Sequence, residues 1–360
     1  MNEPLRIMIA AGGTGGHVFP ALAVAEALTA HGCRVGWLGT RRGLESRVVA
    51  SAGFELFYIA AAGLRGKQIG RLLTAPFMLL WALMQALVAI ARFRPDAVLG
   101  MGGYVAGPSG LAAWLLRRPL LIHEQNAVAG MTNRVLTRFA ARVMEAFPGS
   151  FKDARVQAEL TGNPVRATIA QSMERHRSAP SDQLSLLVFG GSQGAAVLNE
   201  RVPLAMAALS APRPVHICHQ AGRGEVGTTQ ARYHDVGVEA NVVEFIDDMD
   251  AAYQEADLAI CRSGAMTVAE LAIVKLPAIL VPFPFAVDDH QTHNAKQLSD
   301  SGAAIILSGE DFNAENVAKT LDQLIERPAE LALMAQRAGE CAKPGATQAV
   351  TAACMEVAGG

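Results

Sequence analysis

The glycine loop Gly12-Gly13-Thr14-Gly15-Gly16, followed at once by His17, is the first place in this sequence where chemistry could occur. It joins an apolar run, Arg6–Ala11, to a helical pattern. Glycines let the backbone turn sharply, and the N–H groups and dipole of the helix behind them make an anion site. The same positive helix end favours neutral imidazole, so His17 could accept a proton as a general base; the alternative is a capping or packing histidine. The loop is not a dinucleotide fingerprint. Val18 stands at the third glycine position, and Trp37-Leu38-Gly39-Thr40 offers no acid for a ribose. No Gly-Lys-Ser/Thr follows, which excludes a P-loop.

Other polar clusters follow apolar runs in the same way. Arg262-Ser263-Gly264 leads into Ala265-Met266-Thr267-Val268-Ala269-Glu270. Ser263 could cap that helix, its N–H groups could hold a phosphate, and Glu270 could accept from two ribose hydroxyls. Asp288-Asp289-His290-Gln291-Thr292-His293-Asn294 could read sugar hydroxyls or cap the next helix. His123-Glu124-Gln125-Asn126 follows the expected strand Leu120–Ile122, and four hydrogen-bonding side chains at a strand's carboxyl end read as a site. Gly102-Gly103-Tyr104 and Asn163-Pro164-Val165-Arg166 stand similarly, with Arg166 suited to a phosphate or a pyrimidine carbonyl. Asp248-Met249-Asp250 matches a DxD metal pattern but reads as an ordinary helix start. No His/Cys/Asp set has metal spacing, so neither metal nor cofactor is expected.

Positioning such clusters takes strands that end in loops. Short apolar runs alternate with helical patterns: Val35–Leu38, Phe54–Ile59, Ala97–Leu99 and Leu120–Ile122, then Leu184–Phe189, Val215–Cys218, Val242–Phe245, Leu258–Cys261 and Ala278–Val281. This is the signature of parallel α/β sheets. Gly190-Gly191-Ser192-Gln193-Gly194 echoes the first glycine loop about half a chain later, predicting two similar doubly wound domains. Residues 1–163 form the first and 164–345 the second, with the boundary near Thr161–Pro164 followed by the polar, linker-like stretch Ser172–Gln183. The amphipathic tail 346–360 is expected to pack back on the first domain.

Composition narrows the class. Of 360 residues, 51% are hydrophobic and 18% charged, with a mean hydropathy of +0.23. This excludes disorder, collagen, coiled coil and a disulfide miniprotein. The net charge of −2 conceals +8 on residues 1–160 and −10 on the rest, so the first half is expected to meet something anionic. No nucleic-acid-binding signature accompanies that charge. Five scattered cysteines read as free thiols of a reducing compartment. Leu72–Ala91 is uncharged, with Arg65, Lys67, Arg71, Arg92 and Arg94 around it. An apolar stretch flanked by cations predicts peripheral contact with anionic lipid, ahead of a core helix or a spanning one.

Read in order, GGTGGHVFPALAVAEAL, GLRGK, VLGMGGYVAGP, HEQNAVAGMTN, TGNPVR, GGSQGA, FIDDM and CRSGAMTVAE resemble the bacterial MurG family over nearly the whole chain. The resemblance implies a GT-B glycosyltransferase fold, two Rossmann-like domains with an interdomain cleft. It implies inverting transfer of GlcNAc from UDP-GlcNAc to the 4-hydroxyl of MurNAc in undecaprenyl-pyrophosphoryl-MurNAc-pentapeptide (lipid I), giving lipid II for peptidoglycan. The family's donor contacts fall on Thr14, Gly15, Gly16, Asn126, Arg166, Ser192, Ile246, the segment Ala265, Met266, Thr267, Val268, Ala269, Glu270, and Gln291. Ile246 would read uracil through its backbone. His17 is the family's candidate base, and Tyr104, His123 and Glu124 would line the acceptor side. Two departures are His290-Gln291, where relatives carry paired glutamines, and Met266 for leucine, a volume-conserving exchange. Implied partners are UDP-GlcNAc, lipid I, an anionic membrane surface through residues 64–94, and proteins of the cell-wall machinery, with no nucleic acid. The implied place is the cytoplasmic face of the inner membrane, held peripherally. UDP-GlcNAc 2-epimerases, diacylglycerol glycolipid synthases and a non-catalytic nucleotide-binding scaffold are the competing readings.

Overall fold

The computed structural model describes residues 3–61, 69–172, 183–191, 194–211 and 213–360, with side chains described from residue 75 onward in the helix that starts at Ile69. Two compact units form: Met1–Arg166 with Gly345–Gly360, and Ala167–Pro344.

In unit 1 the elements are β1 (Arg6–Ala10), α1 (Gly15–Ala30), β2 (Arg34–Gly39), α2 (Glu45–Ser51), β3 (Glu55–Tyr58), α3 (Ile69–Phe93), β4 (Ala97–Gly100), α4 (Gly103–Leu115), β5 (Leu120–Glu124), α5 (Met131–Leu136), β6 (Arg142–Glu145) and β7 (Glu159–Leu160). The strands form one parallel sheet in the order β3-β2-β1-β4-β5-β6-β7. Alternation in β1 shows why both faces are covered. Ile7 and Ile9 pack with Val18, Ala21, Val24 and Leu28 of α1. Met8 and Ala10 pack toward Ile90 and Phe93 of α3 and Val105 and Ala106 of α4. A sheet buried on both sides needs apolar residues at successive positions, as Ile7, Met8, Ile9 and Ala10 supply after the half-buried Arg6.

Unit 2 holds α6 (Ala167–Ser172), β8 (Leu184–Phe189), α7 (Ala196–Ala207), β9 (Val215–Gln220), α8 (Val226–Asp235), β10 (Asn241–Val243), α9 (Met249–Glu255), β11 (Leu258–Cys261), α10 (Ala265–Ile273), β12 (Ala278–Leu280), a 3-10 turn (Val287–Asp289), α11 (His290–Ser299), β13 (Ala304–Ile306), α12 (Ala314–Glu326) and α13 (Pro328–Cys341). Its parallel sheet runs β10-β9-β8-β11-β12-β13, the order of the first sheet without the last strand. The chain then returns to unit 1 as α14 (Ala346–Gly359), whose Val350, Ala353 and Cys354 join the core under α1.

In both sheets the strand order reverses beside the first strand, between β1 and β4 and between β8 and β11. Ligands of open α/β sheets bind at the carboxyl ends of strands at such switch points. The glycine loop Gly12–Gly16 leaves the first sheet there, and Gly190 and Gly191 follow β8 in the second.

Among the described residues, one helix is long and apolar enough to cross a membrane, Ala75–Phe93 within α3. Its small face, Ala75, Ala82, Ala86 and Ala89 with Ile90 and Phe93, is buried in unit 1. Its large apolar side chains point outward: Phe77 is 76% exposed, Trp81 60% and Val88 65%, and Leu80 and Met84 are exposed too.

Candidate active site

Three loops converge at the β1/β4 switch point of unit 1. The first is the glycine loop, where exposed Thr14 is the N-cap of α1 and its carbonyl accepts from the His17 and Val18 N–H groups. Gly15 and Gly16 open the helix, and His17 is half-buried one turn in. A carboxylate braces this loop from below. Fully buried Glu45 accepts from the Gly13 N–H at 3.2 Å and from the Thr40 N–H and hydroxyl at 2.8 Å each.

The second loop, Gly102-Gly103-Tyr104, follows β4. Gly102 has φ +88°, and a Cβ there would stand 2.7 Å from His17 Nδ1. Gly103 has φ +75°, and a Cβ would overlap the Gly12 carbonyl. Both positions therefore require glycine. Tyr104, half-buried, lies against Gly13.

The third is the run at the end of β5, and here the structure corrects the sequence reading. The strand continues through Glu124, and His123, Glu124 and Gln125 are all buried. His123 and Glu124 therefore cannot line an open acceptor side. Glu124 is spent internally: Oε1 accepts from the Asn126 N–H and Nδ2, and Oε2 from the Gly130 N–H and Asn133 Nδ2, all at 2.9–3.2 Å. His123 Nε2 lies 2.9 Å from the Gly162 carbonyl. Burial pushes the His123 imidazole down to about 4, against opposing effects from that carbonyl and Glu124. Gln125 Nε2 lies 3.1 Å from His123 Nδ1, and Gln125 Oε1 lies 2.8 Å from His17 Nδ1. Asn163 of the Asn163–Arg166 run donates Nδ2 to the Gln125 carbonyl at 3.0 Å. Asn126 is half-buried at the rim, and Arg166 is the last residue of this unit's first segment.

Unit 2 has a different cluster at its own switch point. Gly264, not Ser263, is the N-cap of α10. The Ser263 hydroxyl instead donates to the Gln291 carbonyl at 2.8 Å, and Asn294 Nδ2 donates to the Ser263 carbonyl. These bonds tie the start of α10, with Ala265, Met266 and Thr267, to the start of α11. Val268 is buried against the core, and Ala269 and Glu270 follow half-buried. Glu270 Oε2 accepts from the hydroxyl of buried Tyr253 at 2.9 Å. Arg262 Nη1 donates to the Val281 and Pro282 carbonyls at 3.0 Å each, and its guanidinium lies over the Phe283 ring. Burial pulls that guanidinium down from its ordinary value.

The Phe283 N–H then donates to Gln291 Oε1 at 2.9 Å. This fixes the Gln291 amide with its NH2 as the outward donor. His290 is turned aside, its Nδ1 2.7 Å from the Val287 carbonyl. Asp288 and Asp289 precede it with φ +53° and +50°, a strained pair that turns the chain into α11. Ile246 follows β10 in a loop, its side chain buried and its backbone making no hydrogen bond among the described residues. Asp248 caps α9, accepting from the Ala251 N–H at 3.0 Å. Ser192, and residues 64–68 of the expected membrane segment, lie outside the described residues.

Sequence reasoning gave Gln125 no role of its own within the run His123–Asn126 and did not single out Glu45 or Tyr253. Each acts through a partner distant in the chain, 108, 32 and 17 residues away respectively. A sequence pattern carries no sign of such pairings.

Comparison with known proteins gives a consistent picture. Residues 7–145 match the glycosyltransferase family 28 N-terminal domain and residues 185–350 the glycosyltransferase family 28 C-terminal domain. A UDP-N-acetylglucosamine--N-acetylmuramyl-(pentapeptide) pyrophosphoryl-undecaprenol N-acetylglucosamine transferase of Nitrosococcus oceani is 51% identical over 358 residues, 99% of each chain. The protein of the same description from Chromohalobacter salexigens is 52% identical over 358 residues, 99% of this chain and 98% of its own. The crystal structure of Acinetobacter baumannii MurG matches with a TM-score of 0.82 at 43% identity, covering 98% of this chain and 100% of that one. A UDP-GlcNAc 2-epimerase from Neisseria meningitidis matches with a TM-score of 0.68 at 12% identity, over 98% of this chain and 100% of that one, a likeness of fold alone.

Proposed function

The chain belongs to the MurG family of glycosyltransferase family 28 and has its GT-B fold, and from that premise we propose that it transfers GlcNAc from UDP-GlcNAc to the 4-hydroxyl of MurNAc in lipid I, with inversion, releasing UDP. The observation that carries this reading is the identity of about half the residues over the whole length of named transferases.

The donor is held chiefly by unit 2. The Ile246 backbone reads the uracil, Glu270 accepts from the ribose hydroxyls, and the first turn of α10 meets the diphosphate. Gln291, its oxygen already engaged by Phe283, donates to the sugar hydroxyls. Ser192 keeps the donor contact that the family pattern gives it. Unit 1 adds Thr14, Gly15, Gly16, Asn126 and Arg166 and takes the acceptor beside Tyr104. His17 Nε2 removes the proton of the 4-hydroxyl as that oxygen attacks the anomeric carbon. The bond from the anomeric carbon to the β-phosphate oxygen breaks, and its electron pair leaves with UDP. Helix N–H groups already aimed at the diphosphate stabilise that charge without reorganising.

The outward face of α3 supplies the membrane contact. Phe77, Leu80, Trp81, Met84 and Val88 are exposed, with Trp114 of the neighbouring α4 exposed as well. The opposite, alanine-rich face is buried in unit 1, which supports docking on the surface over spanning. The protein should bind vesicles of anionic lipid and release them as salt rises. Equal binding of Trp81→Ser would remove this face from the contact.

The deciding experiment is transfer of labelled GlcNAc from UDP-GlcNAc to a lipid I analogue with competing nucleotide sugars present. Labelled lipid II is expected. Release of UDP-ManNAc from UDP-GlcNAc alone would instead establish an epimerase.

A further inference from the structure

We infer that Gln125 is a positioning residue that holds His17 as the Nδ1–H tautomer, leaving Nε2 as the proton acceptor. The inference rests on the reading of His17 as the base.

The hydrogen bonds permit one assignment of protons, and it propagates from the protein interior outward. The Gly162 carbonyl can only accept, so His123 Nε2 carries the hydrogen of the 2.9 Å bond between them. The His123 ring is fully buried and its burial keeps it neutral, so Nδ1 is the lone-pair nitrogen. The Gln125 atom 3.1 Å from that nitrogen must therefore be the amide NH2. A second acceptor requires the same orientation, because the amide nitrogen also lies 3.2 Å from the His123 carbonyl. Gln125 Oε1 is then the atom facing His17, 2.8 Å from Nδ1, and it can only accept. His17 Nδ1 must donate. Its Nε2 makes no hydrogen bond among the described residues.

The surroundings keep the chain of bonds in register. The Gln125 carbonyl is held by Asn163 Nδ2, and Gly102 leaves just the room that His17 Nδ1 occupies. A base whose neutral form carries its proton on the wrong nitrogen is unproductive until it re-equilibrates. In a serine-protease triad the wrong tautomer costs about 10⁴-fold in turnover.

The test combines nitrogen-15 NMR of His17 with steady-state kinetics. The parent protein should show His17 protonated at Nδ1. Gln125→Met keeps the side-chain length and removes both polar atoms. It should move His17 toward the Nε2–H form and lower kcat by at least about tenfold, short of the full penalty of a wrong tautomer, with the KM for UDP-GlcNAc unchanged. Gln125→Glu, protonated on the oxygen that faces the His123 Nδ1 lone pair, keeps a donor there and an acceptor for His17 Nδ1–H, and should recover both the tautomer and most of the turnover. A side chain needed for packing alone would predict the reverse, since a buried acid is a worse fit than methionine. An Nε2–H tautomer in the parent, an unmoved tautomer in Gln125→Met, or equal losses in the two variants would overturn the inference. The spectra decide the role of Gln125 independently of catalysis. Full turnover in His17→Ala would refute the base reading while leaving the spectra to stand or fall alone.

Discussion

The two units share one strand order, and each carries a buried histidine linked to the helix that follows its glycine loop. In unit 2, His219 Nε2 donates to Asn199 Oδ1 on α7 at 3.1 Å, and Nδ1 accepts from the Tyr233 hydroxyl at 2.8 Å. Asn199 Nδ2 ends the chain of bonds on the Ala221 carbonyl. Every member is buried, so the network is closed. In unit 1, His123 reaches α1 through Gln125, and the far end is half-buried His17 with Nε2 unengaged among the described residues. Under the proposed function, the same architectural device would serve stability where it closes on itself and proton transfer where it ends in His17. The proposed function assigns the base to unit 1, and to unit 2 the first turn of α10 and the carboxylate of Glu270.

The sharpest way to break this contrast is at its open end. His17→Ala should lower kcat by at least the ~10²-fold lower bound for a placed base, while UDP binding by calorimetry stays as in the parent. Normal turnover would leave unit 1 without a chemical role for its open network.

The closed end should respond to pH instead. Burial lowers both His123 and His219 to about 4, from an unfolded value of 6.5. The unfolded chain therefore binds more protons in that window. The stability from each neutral ring is complete above the unfolded value and is lost as pH falls toward 4, roughly 3 kcal/mol per histidine over the interval. Urea unfolding followed from pH 7 to pH 4 should show that loss. His219→Leu should flatten the acid dependence of unit 2 and lower its stability at neutral pH by roughly 1–3 kcal/mol for each partner left unpaired, with kcat retained. A drop in kcat of the folded variant would erase the distinction between open and closed networks.

Much of this was legible in the sequence, and the limit has a physical reason. Gly12–Gly16 and the strand–helix alternation are local patterns, and the two parallel sheets follow from them. β6, β7 and β13 were not anticipated, because Arg142–Glu145 is charged at both ends, Glu159–Leu160 has two residues and Ala304–Ile306 three. The run His123–Asn126 read as a site of four hydrogen-bonding side chains rather than a core feature. Its first three members are buried because Gly162, Asn133 and His17, all distant in sequence, satisfy them. Ser263 read as a cap for a similar reason, since its true acceptor is the Gln291 carbonyl, 28 residues on.

The donor side should separate from the base in its kinetics. Glu270→Gln removes a charged acceptor worth about 1.5–3 kcal/mol. The KM for UDP-GlcNAc should rise at least tenfold with kcat little changed, because ribose binding is the same in ground and transition states. A variant that lost kcat and kept KM would place Glu270 in the chemistry.

The smallest expected effect tests whether both units use the same means of orientation. Tyr253 stands to Glu270 as Gln125 stands to His17, a buried side chain directing a more exposed one. Removing its hydroxyl in Tyr253→Phe keeps the edge-on contact with Phe189 and forfeits one hydrogen bond to a carboxylate. Such a bond contributes about 1.5–3 kcal/mol at most, and here it only steers a group that still carries its charge. The KM for UDP-GlcNAc should therefore rise less than in Glu270→Gln, while kcat and its pH profile stay as in the parent. Gln125→Met should do the opposite, moving kcat and sparing KM. If Tyr253→Phe also lowered kcat at unchanged KM, the carboxylate would be steering the reacting sugar as well as the ribose. The division between a binding unit and a proton-transferring unit would then fail.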